Sequence, residues 1–514
     1  MMLQALESGP AFTQVSSAIS RPAPVRGWNA RDSLADMRPD EASILDNWFP
    51  DGTDVKLRRG YSSHATGLTG AVETLFSYSY GATTKMFAAN NSAIYDVTSA
   101  GAIGSAEVSG LTNNRWQYVN FGTSGGNFII AVNGADTCRK YDGSSWGTNS
   151  LTGPSDPTKL ININVFKRRL FFIESNSLKF WYLAVESISG ALSSFDLAPL
   201  CSLGGYLVAM GTWSRDGGNG QDDFAVFITS EGEVVIYQGT DPSDATKWAM
   251  VGVFKIGAPI GRRCFFKVGA ELVVITVSGY VPLSSSITFA ETSQTVALSD
   301  RISGAVSKSI RDGGSLFGWQ CLLYPKGNMA IFNVPTGSGA TFQQHVLNVT
   351  TRAWSRFTGI DSYCWTVFNN NLYFGGSGKV YLADTGTSDN GAEIVGDGAT
   401  AVDYLGSRRS LKRFTMVRPL ISSDGQVTPA IVVNVDFDQK APNYTASVSG
   451  SGGSPWDTSP WDVSPWGADI SSIRAWQAVE GVGYGASLRM KVSTDALQIS
   501  WQGVDWMYEP GGLL

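Results

Sequence analysis

Histidine is almost missing from this chain: 514 residues contain only His64 and His345. Neither stands beside a nucleophile motif, so the commonest general base of nucleophilic catalysis is in short supply. No G-x-S-x-G, H-E-x-x-H, Walker or dinucleotide pattern falls between a strand and a helix. Charge is scarce too, at 16% of residues, against about a quarter in ordinary globular chains. With a net charge of −6, a general nucleic-acid-binding protein is disfavoured. The five cysteines, Cys138, Cys201, Cys264, Cys321 and Cys364, form no C-x-x-C pair, which argues against a zinc site or a disulfide framework. Most sit in apolar strand contexts and read as small buried hydrophobes. No apolar run reaches the ~18 residues of a membrane-spanning helix. The first ten residues lack a basic stretch followed by an apolar one, so a secretory signal is not expected. These absences lead us to expect a soluble chain made in a reducing cytoplasm, with no catalytic residues, metal site or cofactor.

What is abundant is glycine, with 58 residues, and aromatic side chains, at 11%. They are organised in a strand-turn-strand unit that recurs from about Ala71 to Asp384. One unit runs Glu73–Tyr80, Lys85–Ala89 and Ala93–Val97; another runs Trp116–Phe121, Phe128–Val132 and Arg139–Tyr141. Later units include Asn162–Phe166 with Arg169–Ile173, Phe224–Thr229 with Glu233–Tyr237, Met329–Val334 with His345–Val349, and Cys364–Phe368 with Leu372–Gly375. Repeats of this size cannot bury their own faces, and antiparallel meanders of them predict an all-β fold, a β-propeller of about six or seven blades. A helical insert is expected near Ser299–Ile310, where Ile302, Val306 and Ile310 share one helix face.

The flanks differ. Residues 1–70 read as an N-terminal arm, in which Asp40 offers an N-cap for a short helix over Glu41–Asp46. Residues 71–385 form the repeat domain. Residues 386–514 are expected to form a β-sandwich-like domain carrying the tract Ser454-Pro-Trp-Asp457, Ser459-Pro-Trp-Asp462, Ser464-Pro-Trp-Gly467. Its five-residue period fits neither strand nor helix, so it reads as an ordered loop or extended edge. Gly481-Val-Gly-Tyr-Gly485 precedes a strand-like segment and is expected to be a β-turn.

Three other patterns could carry function. The loop Asp216–Asp223 is rich in hard oxygen ligands but lacks EF-hand spacing, and solvated turn residues explain it. Ser214–Gly218 approaches a sialidase Asp-box without completing it. Basic clusters lie at Arg58-Arg59, Lys167–Arg169, Arg262-Arg263 and, most densely, at Arg408, Arg409, Lys412 and Arg413, a candidate contact patch for phosphate or an acidic partner.

The segments Gly27–Ala42, Leu45–Gly52 and Leu57–Tyr61, with Val165–Phe172, Gly481–Gly485 and Tyr508–Gly512, resemble tail nozzle proteins of short-tailed bacteriophages, also called tail tubular or packaged-DNA-stabilising proteins. The resemblance implies a structural virion protein of the phage tail, assembled in the host cytoplasm. Its subunits, by the same resemblance a homohexamer, would form a ring below the portal and the tail adaptor protein. The ring would extend the channel for double-stranded DNA, retain it without sequence-specific binding, and offer surface to tail fibres or spikes. On that reading Trp28, Asn29, Trp48, Phe49, Arg58 and Arg59 are candidates for adaptor docking, and Trp456, Trp461 and Trp466 for a subunit or tip interface. The competing readings are a propeller-fold glycosidase or depolymerase, which needs two facing carboxylates, and a carbohydrate-binding adhesin.

Overall fold

The computed structural model describes residues 16–216, 221–288, 297–451 and 471–513. The chain is all-β apart from short helices and contains a β-propeller. It divides into two compact units, residues 59–392 and a second unit built from residues 1–58 together with 393–514.

The first unit holds seven blades among the described residues. Blade one comprises the second half of the long strand Tyr61–Tyr80 with Thr83–Asn90 and Ala93–Asp96. Blades two, three and four are four-stranded meanders that begin with Gln117–Thr123, Leu160–Phe166 and Leu207–Asp216. Blade five, starting at Phe265–Val268, has three strands; blade six starts at Gln320–Tyr324 and blade seven at Cys364–Phe368. The first strand of each blade lies inward, and from blade two onward each touches the first strand of the next, with blade seven touching Tyr61–Tyr80. Closure is by strand exchange. The first half of Tyr61–Tyr80 supplies the outer strand of blade seven, pairing Tyr61 with Ala383 and Thr66 with Lys379, before the same strand enters blade one, pairing Phe76 with Phe87.

Why these segments read as apolar runs rather than as alternating strands follows from this packing. A blade is covered on both faces by its neighbours, so a central strand such as Met329–Thr336 buries every side chain but its last. The hydrophobic clusters accordingly lie between blades. Phe76 and Phe87 of blade one meet Ile129 and Tyr141 of blade two, and Phe171 and Phe180 of blade three meet Phe227 and Trp248 of blade four. Phe180 stacks on Phe227 at 4.4 Å between ring centroids. Each such ring removed from water contributes about 1.5–3 kcal/mol before entropy is counted. The expected helix is present as a 3₁₀ turn, Asp300–Ile302, running into the α-helix Ser303–Gly313, with Ile302 and Val306 buried.

In the second unit the chain ends share sheets. Strand Ile499–Leu513 pairs on one side with Ser410–Ser423 and on the other with Asp54–Leu57 and Ser17–Pro22. A further set of strands runs Ala42–Asp46, Ile394–Thr400, Ala486–Thr494, Ala430–Val435. Trp48 and Trp501, both fully buried and 5.9 Å apart, pack over Gly396 and Gly398. A Cβ at Gly396 would fall 2.9 Å from the Trp48 ring, and one at Gly398 2.9 Å from that of Trp501. The two glycines lie on one face of their strand and leave room for the indoles. The helix expected over Glu41–Asp46 is instead the strand Ala42–Asp46. Its ladder to Ile394–Thr400 satisfies the backbone and buries Ala42 and Leu45, which overrides the local capping signal. The GVGYG segment ends one strand, Gln477–Gly483, and turns into the next, Ala486–Thr494.

Candidate functional site

The inward strands of the propeller surround a cavity of about 340 Å³ to which every blade contributes: Thr74, Gln117, Asn164, Met210, Phe265, Gln320 and Thr366, in blade order. Among the described residues, its lining carries two guanidinium groups, Arg262 and Arg263, and no aspartate or glutamate. Both arginines sit in the connection entering blade five, where the turn at Gly261, at a positive φ of 67°, leads into strand Phe265–Val268.

Arg263 reaches across the axis. Its Nη2 donates to the Glu73 carbonyl at 3.1 Å, the Thr74 hydroxyl at 2.8 Å and the Trp116 carbonyl at 3.1 Å. Its Nη1 donates to Gln320 Oε1 at 3.5 Å. Gln320 in turn donates to the Trp365 carbonyl at 2.9 Å and accepts from the Trp365 amide at 3.1 Å. One side chain from blade five thus ties the edges of blades one, two and six, and through Gln320 blade seven. Phe317 lies under the guanidinium groups of both Arg115, at 4.4 Å, and Arg263, at 5.4 Å. Glu73 pairs with Arg115 at 3.0 Å. Arg262 is exposed, with its Nη1 3.4 Å from the Asn133 carbonyl. Desolvation by the cavity walls, and then the neighbouring Arg115, push the pKa of both cavity arginines down from the ordinary value, in Arg262 although the residue as a whole is exposed. An arginine stays charged through such shifts.

The cavity thiols are inert. Burial pushes Cys364 up to about 12, and Cys321 well above its usual range. Both histidines lie within packed strands. His64 Nε2 is 2.9 Å from the Val97 carbonyl, and His345, fully buried, has its Nδ1 2.9 Å from the Tyr280 hydroxyl.

Of the residues singled out for adaptor docking, four are interior. Trp28 and Trp48 are buried, Asn29 donates to Glu41 and Asp32 at 2.8 Å each, and Arg58 donates to Asn47 Oδ1 at 2.8 Å. They hold the fold of the second unit. Phe49 is half-buried and Arg59 is exposed. In the basic patch, Lys412 differs from its neighbours in position. It is buried, its ammonium donating to the carbonyls of Ser407, Ser410 and Tyr484 at 2.6, 3.0 and 3.0 Å. Arg408, Arg409 and Arg413 are exposed; Arg408 lies 4.6 Å over the Tyr404 ring and Arg413 3.7 Å from Glu509. The cluster Lys167–Arg169 is taken up by ion pairs, Lys167 with Asp223 at 2.6 Å, Arg168 with Glu186, and Arg169 with Asp241 at 2.8 Å. Trp456, Trp461 and Trp466 lie outside the described residues.

The sequence showed Arg262-Arg263 only as one basic cluster among several. Its distinguishing signal was a pair of arginines without a neighbouring acid, placed directly before a strand. That Gln320 and Thr74 would meet it could not be read, since they lie in other blades.

No family profile matches the chain, and no curated protein does. Among solved structures it is similar to BBS1N in complex with ARL6DN, at 8% identity over 63% of this chain and 97% of that one, with a TM-score of 0.40. It is also similar to YCF48 bound to D1 peptide, at 10% identity over 71% and 99%, TM-score 0.36. A third is an exo-β-1,3-galactanase from Phanerochaete chrysosporium, at 12% identity over 76% and 95%, TM-score 0.29. At these scores the likenesses carry no argument, and the propeller assignment rests on the strand order and closure described above.

Proposed function

We propose that this chain is a structural subunit of a bacteriophage tail nozzle, a ring that continues the DNA channel below the portal and adaptor, retains the packaged genome and guides its ejection. The reading starts from the resemblance of the segments near both chain ends to nozzle proteins. The observation that carries it furthest toward a scaffold is the state of the propeller axis. Arg263 spans it and binds the edges of blades one and two, and among the described residues its lining holds no carboxylate. A glycosidase centred there would need two carboxyl groups facing each other about 5–10 Å apart.

The pairing of both chain ends in one β unit is compatible with the same role. A ring subunit must keep two different faces in fixed relation, and a unit in which the N-terminal strands are laced into the C-terminal sheet resists being pulled apart. In a nozzle the net charge of −6 would let DNA pass without strong phosphate binding.

Negative-stain imaging of the purified full-length chain, alone and mixed with adaptor-bearing particles, tests the proposal. Six-fold rings with a central channel are the expected result. Three-fold spikes, or release of reducing sugar from host capsule or lipopolysaccharide, would replace it with the depolymerase reading. Saturable glycan binding without cleavage would favour an adhesin.

A further inference from the structure

We propose that the axial cavity of the propeller is a binding site for a small anion carrying a carboxylate or phosphate group, captured at its mouth by Arg262 above the fixed guanidinium of Arg263. Three observations converge on it. The cavity, at about 340 Å³, is at the lower end of the range for small-molecule sites and is shaped by all seven blades. Among the described residues, its charged lining side chains are two arginines. The nearest acid of the same cluster, Glu73, is engaged by Arg115.

The hydrogen bonds of Arg263 go to two backbone carbonyls, a hydroxyl and an amide oxygen, all neutral. These acceptors bring no formal charge, and the Glu73 carboxylate acts on Arg263 through space, so part of its charge stays open to an incoming anion in a partly dry space, where the field is strongest. Arg115 acts on both cavity arginines as a like charge, and its own charge is shared with Glu73. Arg262 is the adaptable element. It is exposed and held by one long bond of 3.4 Å to the Asn133 carbonyl, so its planar fork is available for a bidentate contact with an oxyanion. Gln117 and Thr366 on the same lining offer amide and hydroxyl donors. The inference is independent of the nozzle reading, since a scaffold or an enzyme could equally hold such a ligand.

Isothermal titration of the full chain with inorganic phosphate and, separately, with citrate, in chloride buffer of matched ionic strength, tests it. Saturable one-site binding of at least one anion is expected, and the tighter of the two assigns the phosphate or carboxylate class. Arg262→Gln should weaken that binding at least tenfold while leaving the circular dichroism spectrum unchanged. Should this variant fail to fold, hydrogen exchange of the wild-type chain with and without the bound anion gives the same decision. Protection is expected in 115–119, 262–266 and 364–366. Absence of saturable binding for both anions, unchanged affinity in Arg262→Gln, or protection confined to other segments would overturn the proposal.

Discussion

His345 shows how much a single buried side chain can decide. It is fully buried beside Tyr280, and desolvation, helped by Arg356, pushes its pKa down to about 3. In the unfolded chain an imidazole titrates near 6.5. Below that pH the unfolded state gains a proton that the folded state refuses until about pH 3, so stability is full above pH 6.5 and falls as the pH drops through this window. The slope is about 1.4 kcal/mol per pH unit for this one group. Urea unfolding at pH 7 and pH 5 should show that loss in the wild type and a smaller one in His345→Gln. Gly396 is the steric counterpart. Because a Cβ there would lie 2.7 Å from Leu57 and 2.9 Å from Trp48, Gly396→Val should cost about 2–3 kcal/mol, read as a lowered urea midpoint. Neither role could be read from the sequence. A histidine with no motif nearby reads equally as surface or core, and a glycine in a strand does not name the indole it makes room for.

At the scale of elements, turn chemistry and apolar runs were legible, and partner choice was not. Most blade strands were visible as β-branched and aromatic runs bounded by Gly, Asn and Asp. The short strand Ala42–Asp46 was not, because an Asp followed by Glu, Ala and Leu satisfies helix-start rules, and only its ladder to Ile394–Thr400 reverses them. One hairpin departs from ordinary turn usage. Lys167 and Arg168 both have positive φ, 45° and 60°, between Phe166 and Arg169, the geometry of a two-residue type I′ turn that prefers Asn-Gly. Replacing them by that pair, Lys167→Asn with Arg168→Gly, relieves backbone strain. It removes surface ion pairs worth little in water. The double variant is expected to be more stable by about 0.5–1 kcal/mol, seen as a higher melting temperature.

The whole molecule follows from how the chain closes on itself. Residues 59–392 contain both halves of the closing pair, Tyr61–Tyr80 and Ser377–Ala383, so this fragment is expected to fold alone, with a cooperative thermal transition and a strand-rich circular dichroism spectrum. Residues 393–514 expressed alone should be insoluble or unfolded. They would lack Ser17–Pro22, Ala42–Asp46 and Asp54–Leu57, exposing unpaired edges of Ile499–Leu513 and Ile394–Thr400. Co-expression with residues 1–58 should restore solubility. From composition and periodicity alone, this protein was determined to be all-β, repetitive and poor in the usual catalytic groups, because strand patterning and the supply of titratable side chains are local properties. Only the tertiary structure decided that there are seven blades, that one strand closes the ring, that the two chain ends share a sheet, and that Arg262 and Arg263 meet Thr74, Gln320 and Thr366 at one axis. Those depend on pairings between residues tens to hundreds of positions apart, which are selected by mutual burial and backbone hydrogen bonding rather than by any nearby residue.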